Sequence, residues 1–322
     1  MEYHKQESRS LIMCTTPLQM LIAERIIVLN SDKKFDLLVI ALNDNKKYEH
    51  YYQKLKKICL DSLYYKTNSG LLGFFAYIKQ LKNNNLNKCY KELYLASINS
   101  RHFQYIVSKN ILSDVFTFDD GTANIINSSL YYMDNDLSKW KKIIWRFLGV
   151  NYYMFDIKEK SKLHYTIYED VSNIISSTEF ISLIPQLKLK SAIEGGQVVR
   201  FYLGQPLTEI HEKFSNEFIE YKIRKLKLNF YYPHPREKNY PKVDFEIIES
   251  NLIFEDFIVQ YLMDNPKVNI EVYSFISTAL LNISCLSRVS VIYIKDVELF
   301  KKYEEFYFFV KNKFNIPCID LE

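Results

Sequence analysis

The sequence predicts an α/β protein of two Rossmann-like domains, each a parallel sheet covered by helices. Two patterns carry that prediction. Short apolar runs alternate with amphipathic stretches along most of the 322 residues, and the pattern breaks around the Gly195-Gly196 pair in SAIEGGQ before it resumes. Strands buried on both faces of a sheet read as continuous apolar runs, and strand–helix alternation is the signature of a parallel sheet. The length also suits two domains of ordinary size. The expected partition is 1–155 for the first domain, 156–197 for a connecting segment and 198–322 for the second.

Taken in order, residues 11–14 (LIMC) read as a strand, and Pro17 suits the first position of a helix running to residue 29. A strand is expected at 37–42, a Lys/Tyr-rich helix at 46–61 and another helix at 72–81. A strand at 93–95, a helix at 102–108 and a strand at 115–118 complete the first alternation. The span 127–186 is less regular, with an expected helix at 138–148 and the run HYTIYEDVSNI. Beyond the glycine pair, strands are expected at 198–203, 228–232, 268–275 and 289–294. Helices fall at 209–226, 254–263, 278–283 and 297–312. No internal repeat is visible.

Composition narrows the function. With 48% hydrophobic and 25% charged residues, the chain can bury a core. Its 42 basic residues are interleaved with 38 acidic ones, and a net charge of +4 argues against a nucleic-acid partner. The clusters KLKK at 54–57 and KIRKLK at 222–227 read as solvated helix faces that would also suit an anionic membrane surface. Five scattered cysteines without a CxxC argue against a disulfide framework and a zinc site, and fit a reducing cytosol. Neither a signal peptide nor a transmembrane helix is visible. The expected location is therefore cytoplasmic, with any membrane attachment peripheral on the inner face. Seven glycines form neither GxGxxG nor a P-loop, so a nucleotide site must be built some other way.

The distinctive motifs fall at predicted strand ends: CTTPLQ, FDDG, LGQP, YPHP and YSFIST. Ligands of open parallel sheets sit beyond the carboxyl ends of the strands. In PHPRE, His234 stands between two prolines that restrict the backbone around it, and Arg236 adds charge. A fixed imidazole can protonate a leaving phosphate oxygen, although a rigid loop with an exposed histidine explains the same residues. Ser277 and Thr278 stand at a helix start, where they can bind an anion or simply cap the helix. Glu255 and Asp256 occupy a helix's first turn, where the macrodipole favours acids and where a carboxylate can also accept ribose hydroxyls. Asp119-Asp120-Gly121 reads as a turn, a metal pair or acid–base equipment, and the residues alone leave the three open.

Eight stretches in the same order resemble the bacterial sialyltransferases of glycosyltransferase family 52. They are CTTPLQMLIAERII, LYLAS, TFDDGTANI, HYTIYE, LGQP, YYPHPRE, LIFEDFI and YSFISTA, and they span nearly the whole chain. The resemblance implies a GT-B-like arrangement, two Rossmann-like domains facing a cleft. It also implies metal-independent, inverting transfer from CMP-sialic acid to a galactose of a bacterial surface glycan, such as lipooligosaccharide or capsule, most often α-2,3, with no cofactor.

Carried over by position, His234 and Pro235 of the His-Pro motif, Ser277 and Thr278 would meet the CMP phosphate. Glu255 would meet the ribose, and Gly204 and Gln205 would border the donor. The family's general base is an aspartate between the LGxP turn and the His-Pro motif, but LGQPLTEIHE has none. The equivalent position is Glu212, with Glu209 as backup. Asp120 is read as an alternative base or a supporting partner on the acceptor side, beside Thr16, Gln19, Asp119 and Gly121. A homodimer is compatible with the family. Two other readings remain: a transferase using a UDP-sugar on the same scaffold, and a glycan-binding homologue that has lost catalysis.

Overall fold

The structure is a computed structural model that describes residues 8–67, 70–133, 138–183, 193–237 and 239–321. Two compact units divide the chain, Met1–Leu183 and Ile184–Glu322.

The N-terminal unit carries strands β1 (Arg9–Cys14), β2 (Lys34–Ala41), β3 (Ser62–Lys66), β4 (Glu92–Leu95), β5 (Asp114–Phe118), β6 (Ser161–Thr166) and β7 (Thr178–Phe180). They form one sheet in the order β3-β2-β1-β4-β5-β6-β7, parallel throughout. Strands β1 and β2 are almost wholly buried along their length, which is why LIMC and FDLLVIA read as unbroken apolar runs. On one side of the sheet, Leu11, Met13, Leu38, Leu93 and Val115 pack with Phe74, Tyr77, Phe103 and Ile106 from the helices. Each such side chain contributes about 1.5–3 kcal/mol by leaving water.

The C-terminal unit carries β8 (Gln197–Leu203), β9 (Phe230–Tyr232), β10 (Glu246–Ile247), β11 (Val268–Ser274), β12 (Val289–Lys295) and β13 (Cys318–Asp320). Their order is β10-β9-β8-β11-β12-β13, again parallel. Both orders are doubly wound. The strand order reverses direction between β1 and β4 in one unit and between β8 and β11 in the other. Beyond the carboxyl ends of those strand pairs the sheet leaves a crevice for ligands. The expected class of two parallel-sheet, Rossmann-like domains is therefore what the chain adopts.

Several expectations change in detail. Residues 161–180, within the expected connecting segment 156–197, supply β6 and β7 of the first sheet, and the boundary between the units, after Leu183, falls inside that segment. Residues 184–192 of that segment lie outside the described residues. The helix expected at 209–226 is shorter: Ser215 accepts the Phe218 N–H, and the α-helix spans only Asn216–Ile223. The helix expected at 297–312 is two, Val297–Lys302 and Glu304–Phe314. Among the described residues, no helix is long and apolar enough to cross a membrane.

Candidate active site

In the N-terminal unit, three strand ends meet at Asp120. After β1, Thr16 caps the helix Pro17–Leu29 by accepting the Gln19 N–H at 3.2 Å, with Pro17 at its start. That cap turns the buried Gln19 side chain beneath the loop. Its Oε1 accepts the Thr15 N–H at 2.6 Å, while its Nε2 donates to Ser97 Oγ at 2.9 Å and to Asp120 Oδ1 at 2.5 Å. Ser97, just beyond β4, donates to Asp120 Oδ2 at 3.2 Å, and the Tyr131 hydroxyl donates to the same oxygen at 2.6 Å. Burial, then the charge of Asp120, holds the Tyr131 phenol well above its usual range, so it remains a donor across neutral pH. Gly121 has φ +66°, the left-handed region, and lets the chain turn directly after the two aspartates.

Asp120 is half-buried and lines a cavity of about 580 Å³. Thr15, Thr16, Ser97 and Arg101 share its polar lining, and Leu71, Phe74 and Trp145 form apolar walls. His102 lines it too, and burial pushes its imidazole down to about 4, so that wall is uncharged at neutral pH. A carboxylate oriented by three donors at the edge of such a cavity can accept a proton from a bound hydroxyl.

Asp119 does something different. It is fully buried, and its carboxylate accepts from His164 Nε2 at 2.9 Å, Thr166 Oγ1 at 2.7 Å, the Ile167 N–H at 2.7 Å and Asn173 Nδ2 at 3.1 Å. It ties the end of β5 to the segment following β6. The two neighbouring carboxylates have separate partners. Among the described residues, no group of three His, Cys, Asp or Glu side chains could hold a metal ion.

In the C-terminal unit, β8, β9 and β11 deliver the LGQP, PHPRE and YSFIST loops to one sheet edge. His234-Pro235-Arg236-Glu237 is a β-turn closed by the Glu237 N–H donating to the His234 carbonyl at 2.9 Å, with proline at its second position. Nδ1 of His234 accepts the Arg236 N–H at 3.1 Å, so the proton of the neutral ring sits on Nε2. The Glu237 carboxylate accepts the His234 N–H at 2.6 Å and the Tyr231 hydroxyl at 2.7 Å. It also presses on Gly204, where a Cβ would stand 2.7 Å from the Tyr231 hydroxyl and closer still to Glu237. A side chain at position 204 would have to displace the Glu237 carboxylate that fills the space.

Gln205 fastens the next loop. Its Oε1 accepts the Ile276 N–H at 2.8 Å and the Ser274 hydroxyl at 3.1 Å, and its Nε2 donates to the Ile276 carbonyl at 2.5 Å. Its amide therefore positions the YSFIST loop. Ser277 stands at the N-cap of the helix Thr278–Ile283, but its hydroxyl makes no capping bond, and both Ser277 and Thr278 are half-exposed. Glu255 is buried in the first turn of the helix Phe254–Asp264 and accepts from Asn282 Nδ2 at 2.8 Å.

The two glutamates read as base candidates differ in setting. Glu209 is paired with Arg236 at 2.6 Å and lines a pocket of about 330 Å³ with Gln205 and Glu237. Glu212 lies exposed in the turn before Ser215 and is not part of that lining. Sequence reasoning missed Glu237, Ser97 and Tyr131. The first stood inside a motif already singled out, and the other two reach Asp120 only through the fold.

Each unit is a doubly wound parallel sheet with polar loops at the carboxyl ends of the strands beside its strand-order reversal. The crystal structure of the glycotransferase of kitacinnamycin has the same fold, with a TM-score of 0.54 over 98% of this chain and 87% of that one, at 9% identity. The model of glycosyltransferase family 52 matches residues 33–298, and the chain belongs to that family. It is 32% identical, over 85% of its length and 87% of the relative's, to a Pasteurella multocida protein named CMP-N-acetylneuraminate:beta-galactoside alpha-2,3-sialyltransferase. It is 33% identical to an N-acetyllactosaminide alpha-2,3-sialyltransferase of Haemophilus influenzae, over 89% of this chain and 92% of the relative. A Neisseria meningitidis protein of the same name is 29% identical over 92% of this chain and 81% of its own.

Proposed function

We propose that this family 52 glycosyltransferase is a sialyltransferase that moves sialic acid from CMP-sialic acid to a terminal galactose of a bacterial surface glycan. The linkage is α-2,3, the anomeric centre inverts and no metal takes part. The observation that carries this reading is the similarity to three relatives named as α-2,3-sialyltransferases across 85–92% of the chain. The strand-end chemistry supports it. Departure of CMP leaves oxocarbenium character at the sialic acid and builds charge on the phosphate. His234, with its Nε2 proton fixed by the Arg236 N–H, donates to that phosphate, and the Ser277 and Thr278 hydroxyls bind it. Glu255 takes the ribose.

Asp120 is the proposed base on the acceptor side. It alone among the three candidates lines a cavity walled by both polar and aromatic side chains, with Gln19, Ser97 and Tyr131 orienting it. Glu209 is engaged with Arg236, and Glu212 is exposed outside either cavity. The test is CMP release from CMP-sialic acid in EDTA, with and without lactose. Faster release with lactose, with sialyl-lactose as product, is expected. Consumption of a UDP-sugar while CMP-sialic acid stays intact would overturn the donor, and release that ignores lactose would overturn the acceptor.

A further inference from the structure

We propose that Arg101 makes the Asp120 cavity a site for an anionic acceptor, a glycan whose terminal galactose is followed by a sugar bearing a carboxylate or a phosphate. Arg101 opens the helix Arg101–Lys109 and lines the same cavity as Asp120. Among the described residues of that lining, these two are the only side chains charged at neutral pH, since burial keeps His102 neutral.

Neutral groups hold the guanidinium in place. Its Nη1 donates to Oε1 of Gln104, which is fully buried and anchored by its Nε2 to the Ile98 carbonyl at 2.9 Å. The Tyr153 ring stands beside it, with its centroid 5.4 Å from the guanidinium carbon. Arg9, Arg200, Arg224 and Arg236 each face a carboxylate instead. Among the described residues, none pairs with Arg101. Burial lowers its guanidinium from the usual range, yet an arginine keeps its proton at neutral pH. A half-buried cation without a counter-ion lowers stability, and an oxyanion brought by a ligand offsets that loss. The planar fork matches carboxylate and phosphate oxygens, and Gln104 engages only part of it.

The anion belongs to the acceptor because Arg101 and Asp120 are tied through one short stretch of chain. Ser97, which donates to Asp120, lies four residues before Arg101, and the Ser100 N–H bonds to the Ser97 carbonyl at 2.9 Å. Four residues span about 14 Å at most. A galactose hydroxyl at Asp120 therefore leaves the next sugar within reach of Arg101. This step rests on the sialyltransferase reading and on Asp120 as the base.

The test compares acceptors that share a terminal galactose and differ in charge: lactobionate against lactitol, and lactose 1-phosphate against methyl lactoside. Wild type should favour at least one anion over its neutral partner by about tenfold in kcat/KM, carried by KM because the contact lies away from the reacting atoms. Preference in the first pair alone marks an acidic sugar, and in the second alone a phosphate substituent. High salt should narrow the preference. Arg101→Gln should bring the ratio within each pair close to one, and Arg101→Lys should retain part of it. Calorimetry without donor should show the favoured anion binding wild type about tenfold more tightly than its neutral partner, and Arg101→Gln without that difference. Equal use and equal binding within both pairs by wild type would overturn the site. So would a preference that survives Arg101→Gln, or a loss confined to the KM for CMP-sialic acid. Wild type that transfers to none of the four sugars strikes the sialyltransferase reading, while calorimetry still decides the anion site.

Discussion

The carboxylate of Glu237 accepts the backbone N–H of His234 at 2.6 Å, so one half-buried acid fixes the loop that carries the proposed phosphate-binding imidazole. Burial raises the Glu237 carboxyl above its usual 4.5, although the bonds from Tyr231 and His234 pull the other way. The folded state therefore holds this proton more tightly than the unfolded chain, and stability falls as pH rises from about 4.5 through the folded value. Glu237→Gln removes that titration. The melting temperature of wild type minus that of Glu237→Gln should fall across this window and be flat above it. A difference that rises with pH would contradict the assignment. Glu237→Ala, which frees the loop, should lower kcat/KM about 10- to 100-fold.

Gly204→Ala tests the same clamp from the other side. An added Cβ cannot coexist with the Glu237 carboxylate and the Tyr231 hydroxyl where they stand. Overpacking of this kind costs about 1–3 kcal/mol, and the His234 loop must shift. Both stability and turnover should fall. A variant with wild-type kinetics would show that the close approach has no bearing on the site.

Asp119 should matter to folding more than to chemistry. Asp119→Ala leaves His164, Thr166, Ile167 and Asn173 without their shared acceptor in a fully buried position. Stranding buried donors should cost about 3 kcal/mol or more, read as a lower urea midpoint. A change within about 0.5 kcal/mol, the range of ordinary surface substitutions, would count against the structural role.

Most of the strand–helix alternation was legible because parallel strands such as β1 and β2 are buried on both faces and spell continuous apolar runs. What escaped lacked that signature. Strand β3, SLYYK, alternates buried and less buried residues, β7 is exposed, and β10 and β13 are edge strands of two and three residues. The helix starting at Asn216 was read too long, although Ser215 marks its cap. Of the site, the motifs stood out as polar, glycine- and proline-containing breaks after apolar runs. The division of labour between Asp119 and Asp120 did not, because Gln19, Ser97 and Tyr131 lie 101, 23 and 11 residues from Asp120 in the chain. Only the fold brings them together.

The most direct test of the proposed chemistry compares wild type with Asp120→Asn, Glu209→Gln and Glu212→Gln, measuring sialyl transfer from CMP-sialic acid to lactose in EDTA. Asp120→Asn keeps an oxygen and the shape of the side chain but cannot take a proton. Its kcat should fall about 10²- to 10⁴-fold with its melting temperature nearly unchanged, while both glutamine variants stay within about tenfold of wild type. Full activity of Asp120→Asn, with Glu212→Gln or Glu209→Gln inactive, would contradict Asp120 as the base and move that role to the C-terminal unit.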